Sequence, residues 1–126
     1  MRWPGYYNGA PNGLWYITPE QLSEIYHLAL QAGVQVHIHT NGDQAIDLAL
    51  EMLGPALMAH PHRDHRLTLQ HCQLADRAQF RQMRTLGVCV NLFANHHFYW
   101  GDAGGKLDTK QTQSRVIRAI KRFGSS

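Results

Sequence analysis

The segment VQVHIHTNGDQAIDLALEML, residues 34–53, contains one complete strand–turn–helix unit. Its first six residues, 34–39, are rich in β-branched side chains and alternate in polarity, which predicts a strand. The Asn-Gly-Asp sequence at 41–43 is a turn signal, and Asp43 is suited to cap the following helix. Apolar residues then recur at helical spacing, so we expect that helix to run up to the Gly-Pro pair at 54–55.

The same alternation of helix and strand continues on both sides of this unit. Before it, Thr18 and Gln21 form a capping-box pattern for a helix that Gly33 ends. After it, we predict strands over 66–71 and 88–93, a helix capped by Asp76 and Gln79 and ended by Gly87, and a last helix over about 111–122. Strands that alternate with helices are typical of parallel βα units, so the predicted fold class is α/β.

Length and composition indicate an ordinary globular chain. It has 126 residues, 44% of them hydrophobic, which is enough for one domain with a core. No apolar stretch approaches the length of a membrane span, and residues 1–13 lack the apolar centre of a signal peptide. We therefore expect a cytoplasmic protein with no membrane partner. Cys72 and Cys89 are too few for a disulfide framework and are expected to be free thiols.

The net charge of +3 is unevenly distributed along the chain. Residues 1–105 carry six Lys and Arg against eight Asp and Glu, whereas residues 106–126 carry six against one. This break predicts a domain over 1–105 and a basic tail over 106–126. A basic tail attracts nucleic acid non-specifically, but no recognition motif accompanies this one, so we do not expect a nucleic-acid partner.

Residues 1–17 are rich in Gly, Pro, Asn and aromatic side chains, which predicts a long loop. The aromatic residues of this loop either cover an edge of the core or form a lid over a substrate. They are Trp3, Tyr6, Tyr7, Trp15 and Tyr16.

The chain has nine histidines, and five of them lie at or after the ends of predicted strands. His37 and His39 end the first strand, His71 ends the second, and His96 and His97 follow the third. Parallel strands end at the same edge of a sheet, about 4.8 Å apart, so His39 and His71 are expected to meet there as the last residues of their strands. Two imidazoles at about this separation can bind one metal ion together. The alternative is that both are structural histidines held by hydrogen bonds.

The other four histidines receive no functional role. His27 lies on a predicted helix, and His60, His62 and His65 lie in a polar loop, where solvated side chains are expected.

Three segments of the chain together resemble the amidohydrolase superfamily, and within it the amidohydrolase 3 (YtcJ-like) family. They are HIHTNGDQAID (37–47), LTLQHCQL (67–74) and VCVNLFANHHFYWGD (88–102). The resemblance runs from about Arg2 to about Asp102, and the basic tail looks unrelated to the family.

The resemblance implies a metal-dependent hydrolase on a TIM-like (β/α)8 barrel that acts on carbon–nitrogen bonds other than peptide bonds. It implies a small amide-like substrate and a divalent metal ion, with zinc as the expected metal. His39 and His71 match the metal-ligating histidines of barrel strands 5 and 6. His96 matches the histidine after strand 7 and is the predicted catalytic residue. Asp43 matches the aspartate of the Gly-Asp pair in the family's strand-5 motif, and Gln70 stands where the family commonly has Glu.

The resemblance also implies an incomplete barrel, because it covers only the region after strand 4 through strand 7. The strand-1 HxH pair and the strand-8 aspartate of the family have no counterpart. We therefore expect a fragment of about three strands, with an isolated chain of little or no hydrolase activity. The alternative is a non-catalytic truncated remnant, or a βα module that self-associates to cover its open sheet edges.

Overall fold

A computed structural model describes Pro11 and residues 13–93. The described elements are α1 (Pro19–Ala32), β1 (His37–Thr40), α2 (Asp43–Ala59), β2 (Thr68–His71), α3 (Arg77–Leu86) and β3 (Cys89–Leu92). The three strands form one open sheet in the order β1-β2-β3, and both neighbouring pairs are parallel. The predicted α/β class is confirmed, and the sheet has the form expected for part of a βα barrel.

The two capping boxes that the sequence predicts are both present. In α1, the Thr18 side chain accepts from the Gln21 N–H, and the Gln21 side chain accepts from the Thr18 N–H. Asp76 and Gln79 make the same exchange at the start of α3. Both helices end at a left-handed glycine, Gly33 in α1 and Gly87 in α3, as their sequences predict.

Helix α2 begins differently from the prediction. Its N-cap is Gly42, which has no side chain to offer, and Asp43 is the first helical residue. The Asp43 Oδ1 atom accepts from the neighbouring Gln44 N–H at 2.9 Å. The expectation that Asp43 serves as the N-cap was therefore wrong by one position, although its carboxylate still lies at the positive end of the helix.

Helix α2 also continues through the Gly-Pro pair that was expected to end it. Pro55 lies inside the helix, which runs on to Ala59. An internal proline costs about 3 kcal/mol, because it lacks an N–H and crowds the preceding turn. Leu53 and Ala56 on either side of the pair are fully buried. Their burial in the core offsets this cost and keeps the chain helical.

Strand β1 begins later than predicted, and the first residue of the predicted strand still belongs to the end of α1. The Val34 N–H donates to the Ala29 carbonyl, so residue 34 completes the helix cap instead of joining the sheet. The strand starts at His37 and ends at Thr40. His39 is thus the penultimate residue of its strand, and the expectation that it is the last was wrong.

The helices cover one face of the sheet and leave the other face open. Ile38, Leu69 and Val90 are register partners on the covered face, and Leu69 is fully buried in the core. Helices α1 and α2 pack alongside each other, and the Tyr26 hydroxyl donates to the Ala49 carbonyl across their contact at 2.9 Å. The open face carries mainly polar side chains, namely His37, His39, Thr68, Gln70, Cys89 and Asn91.

Several predictions fall outside Pro11 and residues 13–93. They concern Trp3, Tyr6 and Tyr7, His96 and His97, the helix over about 111–122 and the tail over 106–126. Of the N-terminal aromatic residues that are described, Trp15 and Tyr16 are exposed. Of the two alternatives for the aromatic residues, covering an edge of the core does not describe these two side chains. No helix within the described residues is long and apolar enough to cross a membrane.

Candidate metal centre

The imidazoles of His39 and His71 meet at the carboxyl ends of β1 and β2. Their ring centroids are 4.5 Å apart, and the ring planes are inclined by 67°. Carboxyl ends of parallel strands are where α/β barrels place their active sites. The predicted proximity of these two residues is confirmed.

The two residues meet although they are not register partners. His39 pairs with Gln70, whereas His71 pairs with Thr40. Thr40 is buried on the helix-covered side, so a regular strand would direct His71 to that side as well. His71 instead has a left-handed backbone with φ of 72°, and Cys72 follows with φ of 47°. This departure from strand geometry brings the His71 ring to His39.

Strained backbone of this kind costs about 1–3 kcal/mol for each residue and persists only where its surroundings hold it. Backbone hydrogen bonds hold it here, one of them from the Cys72 N–H to the Gln70 carbonyl across His71 at 3.0 Å. The Cys72 N–H donates to the Thr40 carbonyl at 2.9 Å, and the Leu74 N–H donates to the Asn41 carbonyl at 3.1 Å. The turn after His39 and the turn after His71 are therefore tied directly to each other.

The His71 ring makes a second aromatic contact. Phe93, just after β3, lies edge-on to His71 with ring centroids 5.8 Å apart. The His71 ring thus contacts both His39 and Phe93. The Phe93 side chain is 48% exposed, so it also presents apolar surface beside the histidine pair.

A third histidine on the open face, His37, makes a hydrogen bond with Gln70. The Gln70 amide Nε2 donates to His37 Nδ1 at 2.8 Å, and Gln70 Oε1 accepts from Asn91 Nδ2 at 2.8 Å. The three side chains form one row across the three strands. Sequence reasoning noted Gln70 only as a departure from Glu and missed Asn91. Polar residues at alternate positions of successive strands were the signal that could have found the row.

The donor set suits part of a metal shell. Neutral imidazole is a common zinc ligand, and catalytic zinc sites use three protein ligands and one open position. His39 and His71 are two side chains of this type in contact with each other. Among Pro11 and residues 13–93, no group of three or more His, Cys, Asp or Glu side chains is arranged to hold a metal. A metal ion held by these two imidazoles would therefore need ligands in addition to them.

The turns that follow β1 and β2 each carry one further buried polar group. Burial raises the pKa of the Cys72 thiol, and a hydrogen bond with Thr40 opposes this effect only in part. Cys72 is therefore a neutral thiol at neutral pH and not the thiolate that metals prefer. In the turn after His39, Asn41 Oδ1 is buried and accepts no hydrogen bond from any described residue.

Among the remaining histidines, one has a different environment from the one that the sequence predicts. His65 is 7% exposed, and its Nδ1 atom accepts from the Leu67 N–H at 3.0 Å. Its Nε2 atom lies 2.7 Å from the Leu86 carbonyl and therefore donates to it. His65 is a buried structural residue, so the expectation of a solvated side chain was wrong. His27 and His60 contact each other edge-on, with ring centroids 5.3 Å apart.

A parallel βα sheet with two imidazoles at its carboxyl edge defines an α/β protein with a candidate metal centre. A sequence model of the amidohydrolase family matches residues 5–124, which is almost the whole chain. The chain belongs to the amidohydrolase family. The matched region includes most of the basic tail, so the expectation that the resemblance ends near Asp102 was wrong.

A curated relative gives a shorter match. The chain is 39% identical over 69 residues to Protein LONG AFTER FAR-RED 3 of Arabidopsis thaliana. The match covers 53% of this chain and 12% of that protein. The chain thus spans about an eighth of the length of the relative that it matches. No solved structure matches it significantly.

Proposed function

We propose that this chain carries part of the active site of a metal-dependent hydrolase that cleaves carbon–nitrogen bonds of small amide-like substrates. The observation that carries the proposal is the contact between His39 and His71 at the carboxyl edge of the sheet. Membership of the amidohydrolase family supports the reaction class.

In this proposal His39 and His71 hold a divalent metal ion, with zinc as the expected metal. Such an ion lowers the pKa of a bound water and polarises a carbonyl group. The residues of the chain hold the two imidazoles in contact, and the Phe93 ring packs edge-on to His71. His96, which lies outside the described residues, is proposed as a catalytic residue on the family resemblance.

None of the described residues places a general base beside His39 and His71. The nearest carboxylate along the chain is that of Asp43, which is 8% exposed at the start of α2 and accepts from the Gln44 N–H. A carboxylate that can take a proton from water has to come from elsewhere. We therefore expect the chain alone to turn over amides slowly.

Turnover of N-acyl amino acids and simple amides by zinc-loaded protein tests the proposal. We expect slow hydrolysis that depends on the metal and is lost in a His39→Ala/His71→Ala variant. The matched control is His27→Ala/His60→Ala, which removes the other close imidazole pair. Hydrolysis that survives loss of His39 and His71 would contradict the assignment.

The second candidate function is a non-catalytic module that associates with further copies of itself. It is favoured by the form of the sheet, in which β1 and β3 are both edges among the described strands. Open edges present unpaired backbone groups that pair readily with another strand. Sedimentation analysis distinguishes this candidate, because it predicts an oligomer that shows no metal-dependent turnover.

A further inference from the structure

The side-chain amide of Gln79 is buried, and both its oxygen and its nitrogen make hydrogen bonds. Its backbone N–H donates to Asp76 Oδ1 at 2.9 Å, and its Oε1 accepts from the Asp76 N–H at 3.0 Å. Its Nε2 donates to the Asp43 carbonyl at 2.8 Å and to Asp47 Oδ1 at 2.6 Å. Only 2% of the residue is exposed, so these bonds are shielded from water.

These bonds join the first turn of α3 to the first two turns of α2. Helix α2 begins directly after the turn that follows His39, and α3 begins shortly after the turn that follows His71. The backbone bonds made by Cys72 and Leu74 tie the two turns on the side of the strands. Gln79 ties the same two turns on the side of the helices.

We infer that Gln79 is a positioning residue for the His39–His71 pair. It sets the separation of the two turns, and through them the separation and tilt of the two imidazoles. A site loses function when its supporting residues leave it loose by about 1 Å. The inference concerns the geometry of the pair, and only its consequence for metal affinity rests on the proposed function.

Two substitutions of Gln79 test the inference in the full chain. Gln79→Glu keeps the size of the side chain but removes both Nε2 donors and places a second carboxylate against Asp47. Gln79→Met keeps most of the volume and introduces no charge, so it serves if the first variant folds poorly. The matched control is Gln82→Glu, which makes the same change at an exposed position of the same helix.

The first readout is the NMR cross-relaxation between the ring protons of His39 and His71, measured without metal. We expect a weaker cross-peak in both Gln79 variants and an unchanged one in Gln82→Glu. The second readout is the zinc dissociation constant, which we expect to rise about 2- to 30-fold, the range for coupling through packed networks.

The outcomes separate this inference from the proposed function. If the wild-type chain binds no zinc but the cross-peak weakens as expected, the proposed function fails and the positioning role stands. If both Gln79 variants lower the melting temperature and leave the cross-peak unchanged, Gln79 is a structural residue only. A control variant that weakens the cross-peak equally would also overturn the inference.

Discussion

The imidazoles of His39 and His71 lie 4.5 Å apart between ring centroids, although His39 is in register with Gln70. The contact depends on the left-handed backbone of His71, which turns its side chain away from the helix-covered face. Non-glycine residues in this conformation cluster at functional sites, where the surrounding structure sustains the strain. The backbone at this edge of the sheet thus brings two imidazoles together.

Loss of His65 is predicted to destabilise the fold, whereas loss of His62 is not. The His65 imidazole joins the start of β2 to the end of α3 through buried hydrogen bonds with Leu67 and Leu86. His65→Ala leaves both backbone groups unsatisfied, so we expect a loss of about 1–3 kcal/mol in the free energy of unfolding. Urea unfolding measures this loss.

His62→Ala is the control for His65→Ala, because His62 lies exposed in the same loop. Its substitution should change the free energy of unfolding by less than about 0.5 kcal/mol. Equal losses in the two variants would show that the His65 contacts contribute nothing particular to stability.

Tyr26 is predicted to make the fold sensitive to high pH. Burial raises the pKa of its hydroxyl well above the ordinary value, so the group stays neutral in the folded chain and ionises in the unfolded chain. Its contribution to stability is therefore complete below about pH 10 and is lost as the pH rises further. Chemical unfolding at pH 7 and at about pH 11 measures the loss.

Tyr26→Phe removes this ionisation together with the hydrogen bond to Ala49. We expect it to cost about 1 kcal/mol at pH 7 and to reduce the further loss of stability at high pH. Tyr16→Phe is the control, because Tyr16 is fully exposed. A Tyr26→Phe variant with the same alkaline loss as the wild type would disprove the assignment.

The two cysteines are predicted to differ strongly in reactivity. Both are free thiols, but Cys72 is buried and has a raised pKa, whereas Cys89 is exposed on the open face of the sheet. In the native protein a thiol reagent should label Cys89 quickly and Cys72 slowly, and unfolded, unreduced protein should give two thiols per chain. Cys89→Ser should remove the fast phase. Two fast thiols in the native protein would show that the core around Cys72 is open.

Much of the fold follows from local sequence signals. Thr18 with Gln21 and Asp76 with Gln79 specify the starts of two helices, and Gly33 and Gly87 specify their ends. These features depend on residues within one turn of each other, so a sequence displays them directly. The proximity of His39 and His71 also follows from sequence, because parallel strands end at the same edge of a sheet.

The remaining features depend on contacts between distant residues. Pro55 stays inside α2 because residues beside it are buried in the core, which the local pattern does not show. His65 is buried because it bonds to Leu86, 21 residues away. Gln79 is recognisable as a capping residue, but its bond to Asp47 spans 32 residues and emerges only from the packed structure.

Calorimetric titration of metal-free protein with zinc tests the proposal that His39 and His71 together bind a divalent metal ion. We expect the wild type and His27→Ala/His60→Ala to take up zinc with the same stoichiometry and affinity. We expect His39→Ala/His71→Ala to lose this binding while it keeps its fold by circular dichroism. Unchanged zinc binding in the His39→Ala/His71→Ala variant would show that these two residues do not hold the metal.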